Sequence, residues 1–196
     1  NEYWNSILPN KCNKCELSKC RKQIVPNTGD GSNGIMIVGQ NPGVEEDETG
    51  IPFTGKSGQL LDTWLNKANI EREKCWITNV CKCHSPNNRV PNKDELSACM
   101  QLLKIEIELV DPHIIIALGK ASLSALINNF DNFRLGDYIF DYADSYILRR
   151  RAYAVYHPSY VLRKHGEERD SIDTKIVEFF KYANRVSIIE ERSKTV

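Results

Sequence analysis

The sequence predicts an α/β fold, a three-layer αβα sandwich around a central, mostly parallel four-stranded sheet with an irregular N-terminal lobe. Three observations predict it. Short apolar runs alternate with segments of helical periodicity, strand then helix, repeated. The 196 residues, 41% hydrophobic, suit one domain with a true core and divide poorly into two. Each apolar run is followed by a polar or glycine-containing motif, at the strand end where open sheets hold their ligands.

Residues 1–34 are polar, rich in Lys, Asn and Cys, and punctuated by Pro26, Gly29, Gly31 and Gly34. They predict a lobe that needs a staple. Ile35-Met36-Ile37-Val38, ending at Gly39, has the pattern of a buried parallel strand and opens an αβα core over residues 35–191. After an acidic loop, Leu60, Leu61, Trp64, Leu65 and Ala68 recur at helical spacing, predicting a helix over 56–69. Cys75 to Val80 is a second strand. Asn92-Lys93-Asp94-Glu95 reads as a capped start, with a carboxylate three residues on, to a helix that Pro112 closes. A third strand spans 113–118, with a short helix behind it over 119–127. Tyr138-Ile139-Phe140 and Tyr146-Ile147-Leu148, joined through Ala143-Asp144, predict a peripheral hairpin. Ala152 to Tyr156 is the fourth inner strand, and 171–191 a final amphipathic helix.

Lys plus Arg equals Asp plus Glu, 26 each, so the field of the whole molecule favours no polyanion and any nucleic-acid surface must be local. The runs Arg149-Arg150-Arg151 and Arg163-Lys164-His165 are the candidates, although such runs are commonly solvated surface. No apolar stretch is long enough for a membrane span and the start lacks a signal pattern, so a soluble, cytoplasmic protein is expected. Seven cysteines in such a chain argue against a disulfide scaffold and for metal or cluster ligation. Cys12-x-x-Cys15 has the spacing of half a metal knuckle, and Cys83 with Cys99 is a candidate second half. Cys20, Cys75 and Cys81 compete, and all-cysteine coordination admits either zinc or a [4Fe-4S] cluster.

Four motifs follow apolar runs: Gly39-Gln40-Asn41-Pro42-Gly43, Thr78-Asn79-Val80, Gly119-Lys120 and His157-Pro158-Ser159. The first is built of ordinary turn formers, yet such a turn also exposes N–H groups and an amide where a water or a base edge can bind. Pro52-Phe53-Thr54-Gly55-Lys56-Ser57-Gly58 precedes a helix N-terminus, a place for a phosphate, but lacks the spacing of a P-loop. Phe53 is there either a cap over the core or a platform for a planar base. His157 stands out among the four histidines because it ends an inner strand with a proline behind it.

Taken together, these residues resemble the uracil-DNA glycosylase superfamily, and most closely its family 4, the iron–sulfur uracil-DNA glycosylases. The resemblance runs over 12–163 and includes Glu46-Asp47, Pro52-Phe53-x-Gly55-x-x-Gly58, Asn79 with Lys82-Cys83, Asn88-Arg89-x-Pro91, Cys99 and His157-Pro158-Ser159. It implies that residues 1–196 form one glycosylase-like domain whose N-terminal lobe is stapled by a structural [4Fe-4S] cluster on Cys12, Cys15, Cys83 and Cys99, with zinc as the alternative. It further implies that Phe53 stacks on a flipped uracil, that Asn79 reads its polar edge, and that Gly39, Gln40 and Asn41 line the pocket. His157 would donate to uracil O2. Gly55, Lys56, Ser57, Ser159, Leu162 and Arg163 would touch DNA, with Leu162 as an apolar wedge.

The expected activity is that of a monofunctional, monomeric enzyme of base excision repair that acts on DNA containing uracil or another damaged base and leaves an abasic site. The turn departs from family 4, which carries Glu and a small residue where this chain has Gln40 and Asn41. Asn41 resembles the water-orienting amide of the mismatch-specific and single-strand-selective branches, and Glu46 and Asp47 are reserve candidates for that role. Three alternatives remain open: a glycosylase of altered base specificity, a non-catalytic iron–sulfur DNA-binding module, and a zinc-stapled nucleotide-binding protein.

Overall fold

The computed structural model describes residues 12–127, 133–145 and 150–194. Strands β1 (Ile35–Gly39), β2 (Trp76–Asn79), β3 (Ile114–Leu118), β4 (Tyr142–Ser145) and β5 (Arg150–Val155) form one sheet in the order β2-β1-β3-β5-β4. The expected four strands run parallel, with Gly39 beside Asn79, Val38 beside Ala117, and Leu118 beside Val155. β4 adds an antiparallel fifth strand. The chain leaves β1 toward one side and returns through β3 on the other, so a crevice opens beyond the carboxyl ends of these two strands.

Alternation along each strand divides the core. Met36, Val38, Ile115 and Ala117 face α3 (Lys93–Val110) and α4 (Lys120–Ile127). Ile35, Ile37, Ile114 and Ile116 face α2 (Lys56–Lys67) and α6 (Gly166–Lys194). Trp64 of α2 also donates from Nε1 to Asp173 of α6 at 2.8 Å. At the start of α3, Asn92 accepts from the Glu95 amide at 2.9 Å and Glu95 accepts from the Asn92 amide at 2.8 Å, the reciprocal cap that the sequence predicted. Among the described residues no helix is long and apolar enough to cross a membrane.

Three elements differ from the sequence expectation. The acidic segment after β1 is a short helix, α1 (Val44–Thr49), whose first turn carries Glu45, Glu46 and Asp47, where the helix dipole favours negative charge. A one-turn helix, α5 (Pro158–Val161), follows β5. In the expected hairpin, Ala143 and Asp144 are strand rather than turn, because they pair with Ala152 and Arg151 of β5; Tyr146, Ile147 and Leu148 lie outside the described residues.

The described part of the N-terminal lobe is held by backbone pairing and burial. The Thr28 and Ile77 amides exchange hydrogen bonds with each other's carbonyls at 2.9 Å, and the Val25 amide donates to Lys82 O at 2.8 Å. Asp47, the reserve candidate for placing water, accepts the Lys22 and Gln23 amides instead and ties the lobe to α1. Leu17 and Val25 are fully buried beneath it.

A buried ion pair joins the loop after β2 to α3. Lys82 Nζ lies 2.7 Å from Glu106, donates to Thr78 Oγ1 at 2.5 Å and to Asn79 O at 2.7 Å, while Thr78 Oγ1 donates to Glu106 at 3.1 Å. Burial pushes the Glu106 carboxyl upward and Lys82 opposes it. Removing one partner leaves the other charge buried and unpaired, so Lys82→Ala is expected to cost about 3–5 kcal/mol in urea unfolding, with the slope of the transition unchanged.

Candidate active site

Four chain segments meet around a cleft of about 1100 Å³ at the carboxyl ends of the parallel strands. β1 delivers the Gly39–Gly43 turn, β2 delivers Asn79, β3 delivers Gly119 and Lys120, and β5 delivers His157. The sequence motifs therefore converge.

The Asn79 side chain is buried, and it hydrogen-bonds to no described residue, so its carbonyl and amide are both left for a ligand. Its backbone is held from below by Lys82. Gly39 lies beside it under the floor of the cleft, where a Cβ would come within 2.3 Å of Asn79 Oδ1 and 2.4 Å of Phe53 Cζ. Only glycine lets the amide and the ring come together here.

Phe53 is buried and has φ +57°, a conformation a bulky residue adopts only when its surroundings impose it. Glu46 accepts the amides of Thr54 and Gly55 at 3.1 and 3.0 Å. Arg72 donates to the carbonyls of Pro52 and Phe53 at 2.9 and 3.2 Å and pairs with Asp62. Gly58 allows the Phe53 carbonyl close, since a Cβ there would lie 1.8 Å from that oxygen. The phosphate site expected at the start of α2 is thus partly filled by the chain's own carboxylate, while Lys56 and Ser57 remain on the cleft wall with Gly55.

In the turn, Asn41 Nδ2 donates to Ser85 Oγ at 3.0 Å and to Pro42 O at 3.1 Å, and its Oδ1 accepts from Gln40 at 3.0 Å. The amide orientation is fixed, and Oδ1 keeps a second lone pair. His84, at Pro42 O, and Ser85, which accepts from Asn41, brace this turn from the loop after β2.

His157 caps α5 with its own ring. The Ser159 amide donates to Nδ1 at 3.1 Å, so Nδ1 is unprotonated and the neutral ring carries its proton on Nε2. Burial, and secondarily Arg163, depress its pKa to about 4, with Glu46 acting weakly the other way. The ring centroid lies 6.4 Å from that of Phe53. The site accordingly combines a ring to stack on, a free amide to read an edge, a fixed amide, and a neutral N–H donor.

A family model described as the uracil DNA glycosylase superfamily matches residues 26–181. The chain belongs to this superfamily. Its relatives place it on the type-4 branch. A type-4 uracil-DNA glycosylase of Pyrobaculum aerophilum is 42% identical, covering 80% of this chain and 82% of the relative. That of Thermotoga maritima is 37% identical, covering 81% of each. That of Saccharolobus solfataricus is 45% identical over 62% of this chain and 56% of its own.

For this superfamily member the expected metal centre is corrected. Among the described residues, which include all seven cysteines, no group of three or more His, Cys, Asp or Glu side chains is arranged to hold a metal ion. This stands against both the [4Fe-4S] cluster and zinc on Cys12, Cys15, Cys83 and Cys99. Arg21 donates to Cys83 Sγ at 3.3 Å and to the backbone carbonyl of Cys12 at 2.7 Å, and Cys81 Sγ turns to Glu95 O at 3.6 Å. Burial pushes Cys15 up and Cys83 to about 11, while Arg21 acts the other way on Cys83. Of the competitors, Cys20 bonds its own helical turn and Cys75 accepts from Asn33.

Of the expected DNA contacts, Ser159 and Arg163 line the cleft, but Leu162 does not. It is half-buried against the core cluster of α2 and α6. Residues not singled out from sequence complete the rim: Lys93 at the capped start of α3, Tyr160 stacked on Tyr156 at 5.0 Å, and Val90. Lys120, signalled by its place just after β3, joins them.

The His157 ring should titrate near pH 4 by NMR, against about 6.5 for an unperturbed histidine. Between these values the unfolded chain binds the extra proton, so this contribution to stability is full above pH 6.5 and is lost as pH falls toward 4.

Proposed function

We propose that this protein is a monofunctional uracil-DNA glycosylase, which extrudes uracil from DNA and hydrolyses its N-glycosidic bond to leave an abasic site. The observation that carries the reading is the convergence of Phe53, Asn79 and a tautomer-locked His157 on one cleft. Superfamily membership and the type-4 names of the relatives support it.

Uracil enters flat against Phe53, and Asn79 pairs with N3–H through its carbonyl and with O4 through its amide. A base can reach these groups only out of the stack. As the glycosidic bond breaks, the electron pair goes to the base and charge develops on O2, while the sugar becomes cationic. The His157 Nε2–H then gains strength as a donor, and because the ring is neutral it holds its proton throughout. A single fixed donor of this kind is worth about 3 kcal/mol in the transition state. A water on the free lone pair of Asn41 Oδ1 adds to C1′ and yields its proton to solvent. Lys56, Lys93, Lys120 and Arg163 give a neutral molecule a local basic rim for phosphates.

A second reading, altered base specificity, is favoured by Asn41, held by Gln40 and Ser85, which is larger than the small residue family 4 carries at that place in the turn. Base release from matched oligonucleotides containing uracil, thymine, hypoxanthine or a modified cytosine separates the two. Uracil release by the native chain, with kcat reduced about 10²–10³-fold in His157→Ala, is the expected outcome. Preferential release of another base would establish the second reading, and binding without release of any base would overturn both.

A further inference from the structure

We infer that Ser85 is a positioning residue for the attacking water, acting by fixing which end of the Asn41 amide faces the cleft; the inference deepens the glycosylase reading above and rests on it. Ser85 is fully buried and does not line the cleft, so it works through Asn41 and touches no substrate. The choice it makes matters because a primary amide has nearly the same shape when turned over. Turned over, Asn41 would offer N–H donors where the water needs an acceptor.

The hydrogen bonds around Ser85 admit one orientation. A hydroxyl has a single hydrogen. Ser85 Oγ lies 2.5 Å from Arg89 O, and a carbonyl can only accept, so that hydrogen belongs to Arg89. Toward Asn41 the hydroxyl therefore presents lone pairs alone, and the atom that faces it at 3.0 Å must be Nδ2. The Pro42 carbonyl, 3.1 Å from the same nitrogen, agrees, but it lies in the same turn and moves with it. Ser85 ties the amide to a separate loop. Oδ1 is left on the far side, where it accepts from Gln40 at 3.0 Å and keeps a second lone pair for water. Donation runs one way, from Gln40 to Asn41 to Ser85 to Arg89, and bonds aligned in this manner strengthen one another. The last acceptor is anchored. The Arg89 amide donates to Pro86 O at 3.2 Å, and its guanidinium forks onto Glu95, the residue that closes the cap of α3, at 2.8 and 2.6 Å.

The test measures uracil release from DNA by Ser85→Ala, by Asn41→Ala and by the double variant, with kcat and KM separated. Ser85→Ala should lower kcat about tenfold, because the amide remains but loses its fixed direction. KM should hold, since Phe53 and Asn79 still bind the base. In the Asn41→Ala background the change at Ser85 should bring no further loss, which a merely structural serine would not obey. Ser85→Cys keeps the volume but hydrogen-bonds weakly, so it should also lose kcat, and it replaces Ser85→Ala if that variant folds poorly. A loss of equal size in the Asn41→Ala background, or no loss in the native background, overturns the inference. Absence of uracil release by the native chain counts against the glycosylase reading instead. The amide lock is then judged by NMR: the Asn41 side-chain N–H protons should exchange faster in Ser85→Ala, and unchanged exchange overturns it.

Discussion

The carboxylate of Glu46 joins two parts of the molecule that the fold alone would leave independent. It arises in the first turn of α1, directly after the β1 turn, and accepts the backbone N–H groups of Thr54 and Gly55 where the chain enters α2. Charge-assisted bonds of this kind are short and strong, and a helix N-terminus favours the negative charge. Through that junction the Gly39–Gly43 turn, the Phe53 ring and the first helix of one layer share a single geometry. Arg72 completes the arrangement from the carbonyl side, so a ring at positive φ is held at both ends of its peptide units. The site is placed by the sheet and given its shape by this pair.

Parallel strands were legible in the sequence because each is buried on both faces and reads as a continuous β-branched run, as in Ile114-Ile115-Ile116. The capped start of α3 was legible because its signal is local: an asparagine, then a glutamate three residues on. What escaped was set by tertiary pairing. Ala143 and Asp144 look like a turn in isolation, and they become strand only through β5. Likewise α1 is too short for periodicity to register, and α5 depends on a histidine ring acting as a cap, which no propensity describes.

Within the site, residues at strand ends were found because topology forces them together. Asn79 and His157 needed no more than that. The metal centre was a different inference, from cysteine spacing and resemblance, and spacing cannot say whether a guanidinium or a second thiol takes a sulfur first. Arg21 does so at Cys83 here. A leucine three residues beyond a motif can face either solvent or core, and Leu162 lies half-buried against the cluster of α2 and α6. The rim residues Lys93, Val90 and Tyr160 were hidden because nothing in the local sequence separates a lip of a cleft from ordinary surface.

Gly39 is usually the kind of residue explained by a turn, yet its φ is not in the left-handed region and its role is spatial. The Asn79 amide and the Phe53 ring rest over bare backbone, and the distance between them is governed by an atom that is missing. A methyl group at this point would not plug the opening, since it lies below it. It would push the amide and the ring apart, giving a looser slot whose fault is of fit rather than of access. The shape of this cleft is therefore set partly by a residue that does not line it.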